Sequence, residues 1–168
     1  MWCEGSRVDA VGMRLFVDIV VQRILRECIT QTSLDVQAMR STGGDNVALA
    51  DSIYDDWTIN EDNKPELLTP LQEYSASLAT VIKPCVCQYN CGMDIITWLL
   101  DVEDITSTEQ SMLNTAMLHY YKYSVLAWWY EMRHAELSMR YKAKAEKALG
   151  EVIANIGLNK SRIVGHYF

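Results

Sequence analysis

TSTEQSMLNTAMLHYYKYSVLAWWYEMRHAELSMRYKAKAEKAL, residues 106–149, contains neither glycine nor proline, and its reading decides the fold. It opens on a capping box, Thr106-x-x-Glu109 or, one residue later, Ser107-x-x-Gln110, in which a hydroxyl and a returning side chain satisfy amides of the first turn. It closes at Gly150, which can adopt the left-handed conformation that ends helices. Between these signals the spacing predicts one helix over 107–149, roughly 60 Å long at ~1.5 Å per residue and about twice the width of a small domain. Up to Trp129 the apolar residues Met112, Leu113, Ala116, Met117, Tyr120, Tyr121, Val125 and Trp128 cover most of its circumference, so other elements should surround this half. After Glu131 the stripe narrows to Met132, Ala135, Met139 and Ala143, set among Arg133, Glu136, Arg140, Lys142, Lys144 and Lys147. The second half should therefore project from the domain or meet a partner.

Upstream, Val11, Leu15, Ile19, Ile24 and Cys28 recur at helical spacing and predict a helix over about 8–40, ended by Gly43-Gly44. Residues 45–63 interleave acidic side chains with Ile53, Tyr54, Trp57 and Ile59 and read as a long loop pinned by its aromatics. Leu67, Leu71, Tyr74, Leu78 and Ile82 predict a second helix over 64–83, with Pro65 near its first turn and Pro70 in a position to delay its start. The period then falls to two: Cys85–Tyr89 and Met93–Trp98, joined by Asn90-Cys91-Gly92, predict a β-hairpin over about 85–99. The chain thus reads as a mainly α, single helical domain over 1–156, a bundle built on one long C-terminal helix with a small β-hairpin. Residues 157–168 form a C-terminal extension. That extension is too short for a core and too apolar for a solvated tail, so Leu158, Lys160, Arg162, Ile163, Val164, Tyr167 and Phe168 are candidates for binding a partner.

Composition narrows the function. A net charge of −7 argues against a protein that grips nucleic acid by its phosphates, yet the charge is polarised: residues 45–109 carry thirteen Asp or Glu against two Lys, whereas 131–168 carry seven Lys or Arg against four Glu. Five cysteines with no leader-like segment point to a reducing compartment, and no run suits a membrane span, so a soluble protein without membrane contact is expected.

Chemistry-bearing motifs are sparse. Cys85, Cys87 and Cys91 form C-x-C-x3-C, a candidate metal site weaker than the C-x2-C knuckle of structural zinc sites, because cysteines two apart on a strand share a face without converging. Glu131-x-x-His134 matches half of a ferritin-like di-metal pair, and no second pair exists in the chain. The cluster Tyr120, Tyr121, Tyr123, Trp128, Trp129 and Tyr130 reads as core, since a base-stacking platform needs basic neighbours and only Lys122 lies nearby. No nucleotide-binding loop or activated nucleophile is present, and no cofactor is expected.

With the elements in order, the chain resembles the head–tail connector (neck or adaptor) proteins of tailed bacteriophages, nearest to those of gut Bacteroidales phages and prophages. The resemblance rests on Trp57-Thr58-Ile59-Asn60-Glu61-Asp62 leading into Leu67-Leu68-Thr69-Pro70-Leu71, on the hairpin to Leu99-Leu100, and on Tyr120-Tyr121-x-Tyr123-Ser124-Val125-Leu126-Ala127-Trp128-Trp129 followed by Ala143 to Ile156. It covers about residues 50–156. It implies a structural virion protein and not an enzyme: a homo-oligomeric ring, commonly a dodecamer, assembled in the host cytoplasm and built into the virion neck between the portal protein and the tail or other neck proteins. DNA would pass through without sequence-specific binding. Asp51, Asp55, Asp56, Glu61 and Asp62 are then candidates to line that channel. Two other classes stay open, a host helical adaptor that remains monomeric or dimeric and, more remotely, a metal-binding protein using the cysteine cluster.

Overall fold

The structure, a computed structural model, describes residues 12–42 and 51–157; within them the chain is mainly α, with one small antiparallel sheet. Gly12–Val20 forms strand β1 and runs directly into helix α1, Val21–Thr42, which corrects the helix expected over 8–40. Along β1, Leu15, Val17 and Ile19 turn toward the core, whereas Arg14, Phe16, Asp18 and Val20 are exposed. Two of those outward positions are themselves apolar. Leu15/Ile19 and Phe16/Val20 therefore mimic a helical i, i+4 pattern, and pairing decides the matter. All nine residues of β1 pair antiparallel with strand β3, Ile95–Glu103, from Gly12↔Glu103 to Val20↔Ile95.

Strand β2, Val86–Cys91, pairs with the other side of β3 and completes the order β1-β3-β2. The predicted hairpin is present, with two adjustments. Cys85 falls in a 3-10 turn before it, and β3 continues to Glu103 because β1 holds the part that β2 does not reach. At the turn the Gly92 N–H donates to the Ile95 carbonyl at 3.0 Å, and a Cβ at Gly92 would lie 2.9 Å from that same oxygen. Gly92→Ala should therefore destabilise the domain by about 1–3 kcal/mol. A lower urea midpoint at unchanged slope is the expected result, and an unchanged midpoint would show that the turn absorbs the methyl group.

Within the stretch read as a loop, Asp51–Trp57 is helix α2, and Asn60 starts a 3-10 turn over Glu61–Asn63 through a reciprocal cap with Asn63. Residues 43–50 lie outside the described residues. The aromatics do pin the segment: Trp129 Nε1 donates to the Trp57 carbonyl at 2.8 Å, and the buried Tyr54 meets Trp57 edge-on and lies under the Arg40 guanidinium. Helix α3, Lys64–Val81, begins with Pro65 in its first turn and carries Pro70 buried inside it, so Pro70 does not delay the start.

The largest correction concerns the stretch at 106–149. The capping box Thr106–Glu109 forms as expected, but helix α4 ends at Glu131 and a separate helix α5 spans Ala135–Asn155. The two lie antiparallel, with Ser138 Oγ donating to the Ala127 carbonyl at 2.8 Å near the turn, while Glu151 and Asn155 flank Ser111 and Thr115 at the far end. No glycine or proline makes the turn. The Arg133 and His134 amides both donate to the Tyr130 carbonyl, at 3.0 and 2.8 Å. His134, in extended conformation, caps α5 by accepting the Leu137 amide on Nδ1 at 3.2 Å. Arg133 satisfies the end of α4 by donating to the Trp129 carbonyl at 2.9 Å, with its guanidinium 3.8 Å above the Trp129 ring. At this turn the side chains of Arg133 and His134 thus serve one helix end each.

Folding back is favoured because α5 has an apolar face to bury. That face is Leu137, Tyr141, Ala145, Ala148, Val152 and Ile156, all buried. The stripe expected from the sequence, Met132, Ala135, Met139 and Ala143, is instead the outer face, with Met132 91 % exposed. A continuous helix would leave the true stripe in water at about 25 cal/mol for each Å². No half-helix projects. The inner face of the sheet, with Ile96, Trp98, Leu100 and Val102, joins Leu78 and Ile82 around α3, Tyr121 and Val125 of α4 and Ile24 and Cys28 of α1 in one core.

Candidate functional site

The residues singled out in the sequence do not converge on one site. Cys85 is fully buried, Cys87 sits half-buried at the irregularity in the β2–β3 register, and Cys91 is half-buried at the end of β2. Among the described residues no group of three or more His, Cys, Asp or Glu is placed to hold a metal ion. Glu131 and His134 are separated in role as well as in element: Glu131 lies 3.5 Å from Lys142, and His134 is the α5 cap. The aromatic cluster is core, with Tyr120, Tyr121, Trp129 and Tyr130 buried and Tyr123 and Trp128 half-buried.

The acidic segment does form a surface. Asp55 and Asp56 on α2, and Glu61 and Asp62 in the turn after it, are all exposed; Asp51 is the first residue of α2. Two of these carboxylates have neighbours of their own. Asp56 lies 3.6 Å from Arg133, and Glu61 accepts the Gln22 amide at 2.9 Å. Leu158, Lys160, Arg162, Ile163, Val164, Tyr167 and Phe168 lie outside the described residues. No helix among the described residues is long and apolar enough to cross a membrane.

Two features escape the sequence reading. The first is a polar cluster where α1 crosses the helix pair: Asp35 Oδ2 accepts the hydroxyls of Tyr141 at 2.6 Å and Tyr130 at 3.1 Å, and Oδ1 accepts the Gln31 amide at 3.1 Å. Burial, together with the Asp35 carboxylate, pushes both phenols far above their ordinary range. The signal was available, since Asp35 stands at helical spacing from Cys28 and Thr32 on the face that α1 buries. The cluster borders a surface cleft of about 330 Å³ that also involves His134 and Arg140.

The second feature is the outer face and open edge of the sheet. Phe16 and Leu99 are direct cross-strand neighbours on the outward side, as are Val20 and Ile95, and Phe16 is 68 % exposed. No described strand pairs with the edge of β1 opposite β3. A second cleft of about 330 Å³ runs beside the end of that edge, between Asp18–Val20 and the Ser111–Leu118 face of α4. No protein-family model matches the chain, and no curated protein or solved structure matches it.

Proposed function

We propose that the chain is a structural subunit of the tailed-phage virion, a head–tail connector that assembles with copies of itself beneath the portal and performs no catalysis. The resemblance over residues 50–156 supplies the family, and one surface observation supports it: Asp55, Asp56, Glu61 and Asp62 are exposed together on α2 and the turn that follows. Turned toward a central channel, such a ridge repels phosphates and lets DNA slide without adhering. Portal protein and tail or other neck proteins are the remaining partners, with residues 158–168 as the proposed contact. Assembly in the host cytoplasm and residence in the virion neck follow from that role. Because α5 folds onto α4, it offers no arm to a neighbour. Contacts between copies have to come from the sheet, the acidic segment and the tail. Native mass spectrometry and electron microscopy of the purified chain with its portal should show a closed ring of about a dozen copies; monomers or dimers alone in the presence of the portal would overturn the reading.

A host helical adaptor that stays monomeric or dimeric is a second reading, favoured by the edge of β1 that no described strand covers. The same spectrum separates the two, since an adaptor leaves a monomer or a dimer where a connector gives a ring.

A further inference from the structure

We propose that Trp129 and Arg133, stacked on one another at the end of α4, are the mount of the acidic ridge: together they cap the C-terminal end of α2 and fix the direction of its carboxylates. How the ridge is held is independent of the connector reading; what it is held for rests on that reading. A helix of seven residues is too short to persist alone. Its C-terminal end also suits anions poorly, because the last carbonyls carry the negative end of the helix dipole and Asp55 and Asp56 stand among them. The last four carbonyls of a helix have no partner inside it. Here each one has a partner from outside. Thr58 takes the first two, its hydroxyl donating to the Tyr54 carbonyl at 2.9 Å and its amide to the Asp55 carbonyl at 3.2 Å. The helix pair takes the others: Arg133 Nε donates to the Asp56 carbonyl at 3.0 Å, and Trp129 Nε1 to the Trp57 carbonyl at 2.8 Å.

The grip is on the backbone more than on the charge. Arg133 lies 3.6 Å from the Asp56 carboxylate, whose side chain stays 67 % exposed, so the ridge keeps its charge toward solvent. The guanidinium is itself fixed from within the helix pair, with Nη1 on the Trp129 carbonyl at 2.9 Å and its carbon 3.8 Å from the centre of the Trp129 ring. A flat, forked group can stack and donate from two edges at once; a lysine ammonium, a single point charge, cannot. Its positive charge also offsets the dipole and the two aspartates beside it. The far end of the ridge is tied to α1 instead, where the Ile59 amide donates to the buried Thr32 hydroxyl at 3.1 Å and Glu61 accepts from Gln22. Without the clamp, Asp55 and Asp56 lose their fixed direction. A ring that packs this segment between copies then has to order it at every joint, and that weakens assembly.

The test uses the full chain carrying Arg133→Lys, Arg133→Gln or Asp56→Asn, and reads hydrogen exchange of the indole protons by nuclear magnetic resonance. The Trp129 indole reports the clamp, and the fully buried Trp98 indole reports the core. Both Arg133 variants should speed exchange at Trp129 by about 10-fold or more and leave Trp98 unchanged. Asp56→Asn keeps the carbonyl and should stay within about 2-fold of the unaltered chain. A Trp129 indole as protected in Arg133→Lys as in the unaltered chain, or released as far by Asp56→Asn, would overturn the clamp. Equal acceleration at Trp98 would overturn it too, since Arg133 would then be supporting the whole core. With the portal added, native mass spectrometry reads assembly: Arg133→Lys should need about 10-fold more protein than the unaltered chain to close a ring. A variant that frees the Trp129 indole yet assembles at the same concentration shows that the ring does not use the mounted ridge. An unaltered chain that forms no ring overturns the connector reading, and with it the purpose assigned to the clamp, while the exchange rates still decide whether the clamp exists.

Discussion

Raising the pH above 10 should unfold the domain cooperatively, with helix signal and tyrosinate absorbance changing together. The cause is a set of acidic protons that the fold shelters. Burial pushes the Cys28 thiol from its ordinary 9.0 up to about 12, against the weaker opposing pull of Lys122. Burial likewise raises Tyr120 from 10.0 to about 12, and it raises Tyr121, Tyr130 and Tyr141 further still. A group whose folded-state pKa lies above its unfolded value stabilises the fold fully below the unfolded value; that stability is lost as the pH climbs toward the folded one. The window therefore opens near pH 9 with Cys28 and widens at pH 10 with the tyrosines. Each group contributes up to about 1.4 kcal/mol per pH unit, so the five together reach roughly 7 kcal/mol per unit. Even at half that slope, a domain of ordinary stability, about 5–15 kcal/mol, loses its fold within a few units. Stability by urea unfolding should be flat from neutral pH to about 9 and then fall steeply. Tyrosinate forming gradually up to pH 12 with the helical circular dichroism intact would show that these phenols reach water in the folded chain.

How much of this fold is legible in the sequence depends on where tertiary contacts override local pattern. Helix α3, the start of α4 and the β2–β3 hairpin follow from local signals: a proline in a first turn, a capping box and a glycine that a hairpin turn needs. Strand β1 does not, because Phe16 and Val20 are apolar on the outward face and erase the two-residue period. The turn at Arg133-His134 is harder still. Its position shows in the apolar pattern, which changes character at Glu131, but nothing in that change distinguishes a helix that continues into solvent from one that doubles back. What distinguishes them is the pair of capping contacts, and neither arginine nor histidine is a strong turn former. The stripe that needs burial begins at Leu137 and Tyr141, whereas Met132 and Ala135 lie on the outer face. The acidic segment is pinned by Tyr54 and Trp57 as its aromatics suggest, but the seven residues of α2 do not announce themselves as a helix.

Replacing Asp35 by leucine should cost about 3 kcal/mol of folding stability, and the reason lies in three aromatic rings. Tyr123 and Tyr130, two turns apart on α4, bracket Tyr141 of α5, with ring centroids 6.1 and 5.9 Å from it and planes within 17° and 10° of parallel. Lys144 lies 5.4 Å from both Tyr123 and Tyr141 and closes the outer side of the stack. Asp35 then receives the two inner hydroxyls on one oxygen, so a single carboxylate ties α1 to both members of the helix pair. Hydrogen bonds to a charged group are each worth about 1.5–3 kcal/mol, and the half-buried position of Asp35 places this pair toward the lower end. Most of the loss in Asp35→Leu comes from leaving two phenols without an acceptor, and that makes the effect strongly non-additive. Tyr130→Phe with Tyr141→Phe should also be costly, because the carboxylate keeps only Gln31 among these donors. The triple variant, with leucine at 35 and phenylalanine at 130 and 141, removes donors and acceptor together and should lie within about 1 kcal/mol of the unaltered chain. Urea unfolding at pH 7 measures all four proteins. If the triple variant loses as much as the sum of its parts, the cluster stabilises the fold through the shape of its packed rings, and the carboxylate is not what holds α1 against the helix pair.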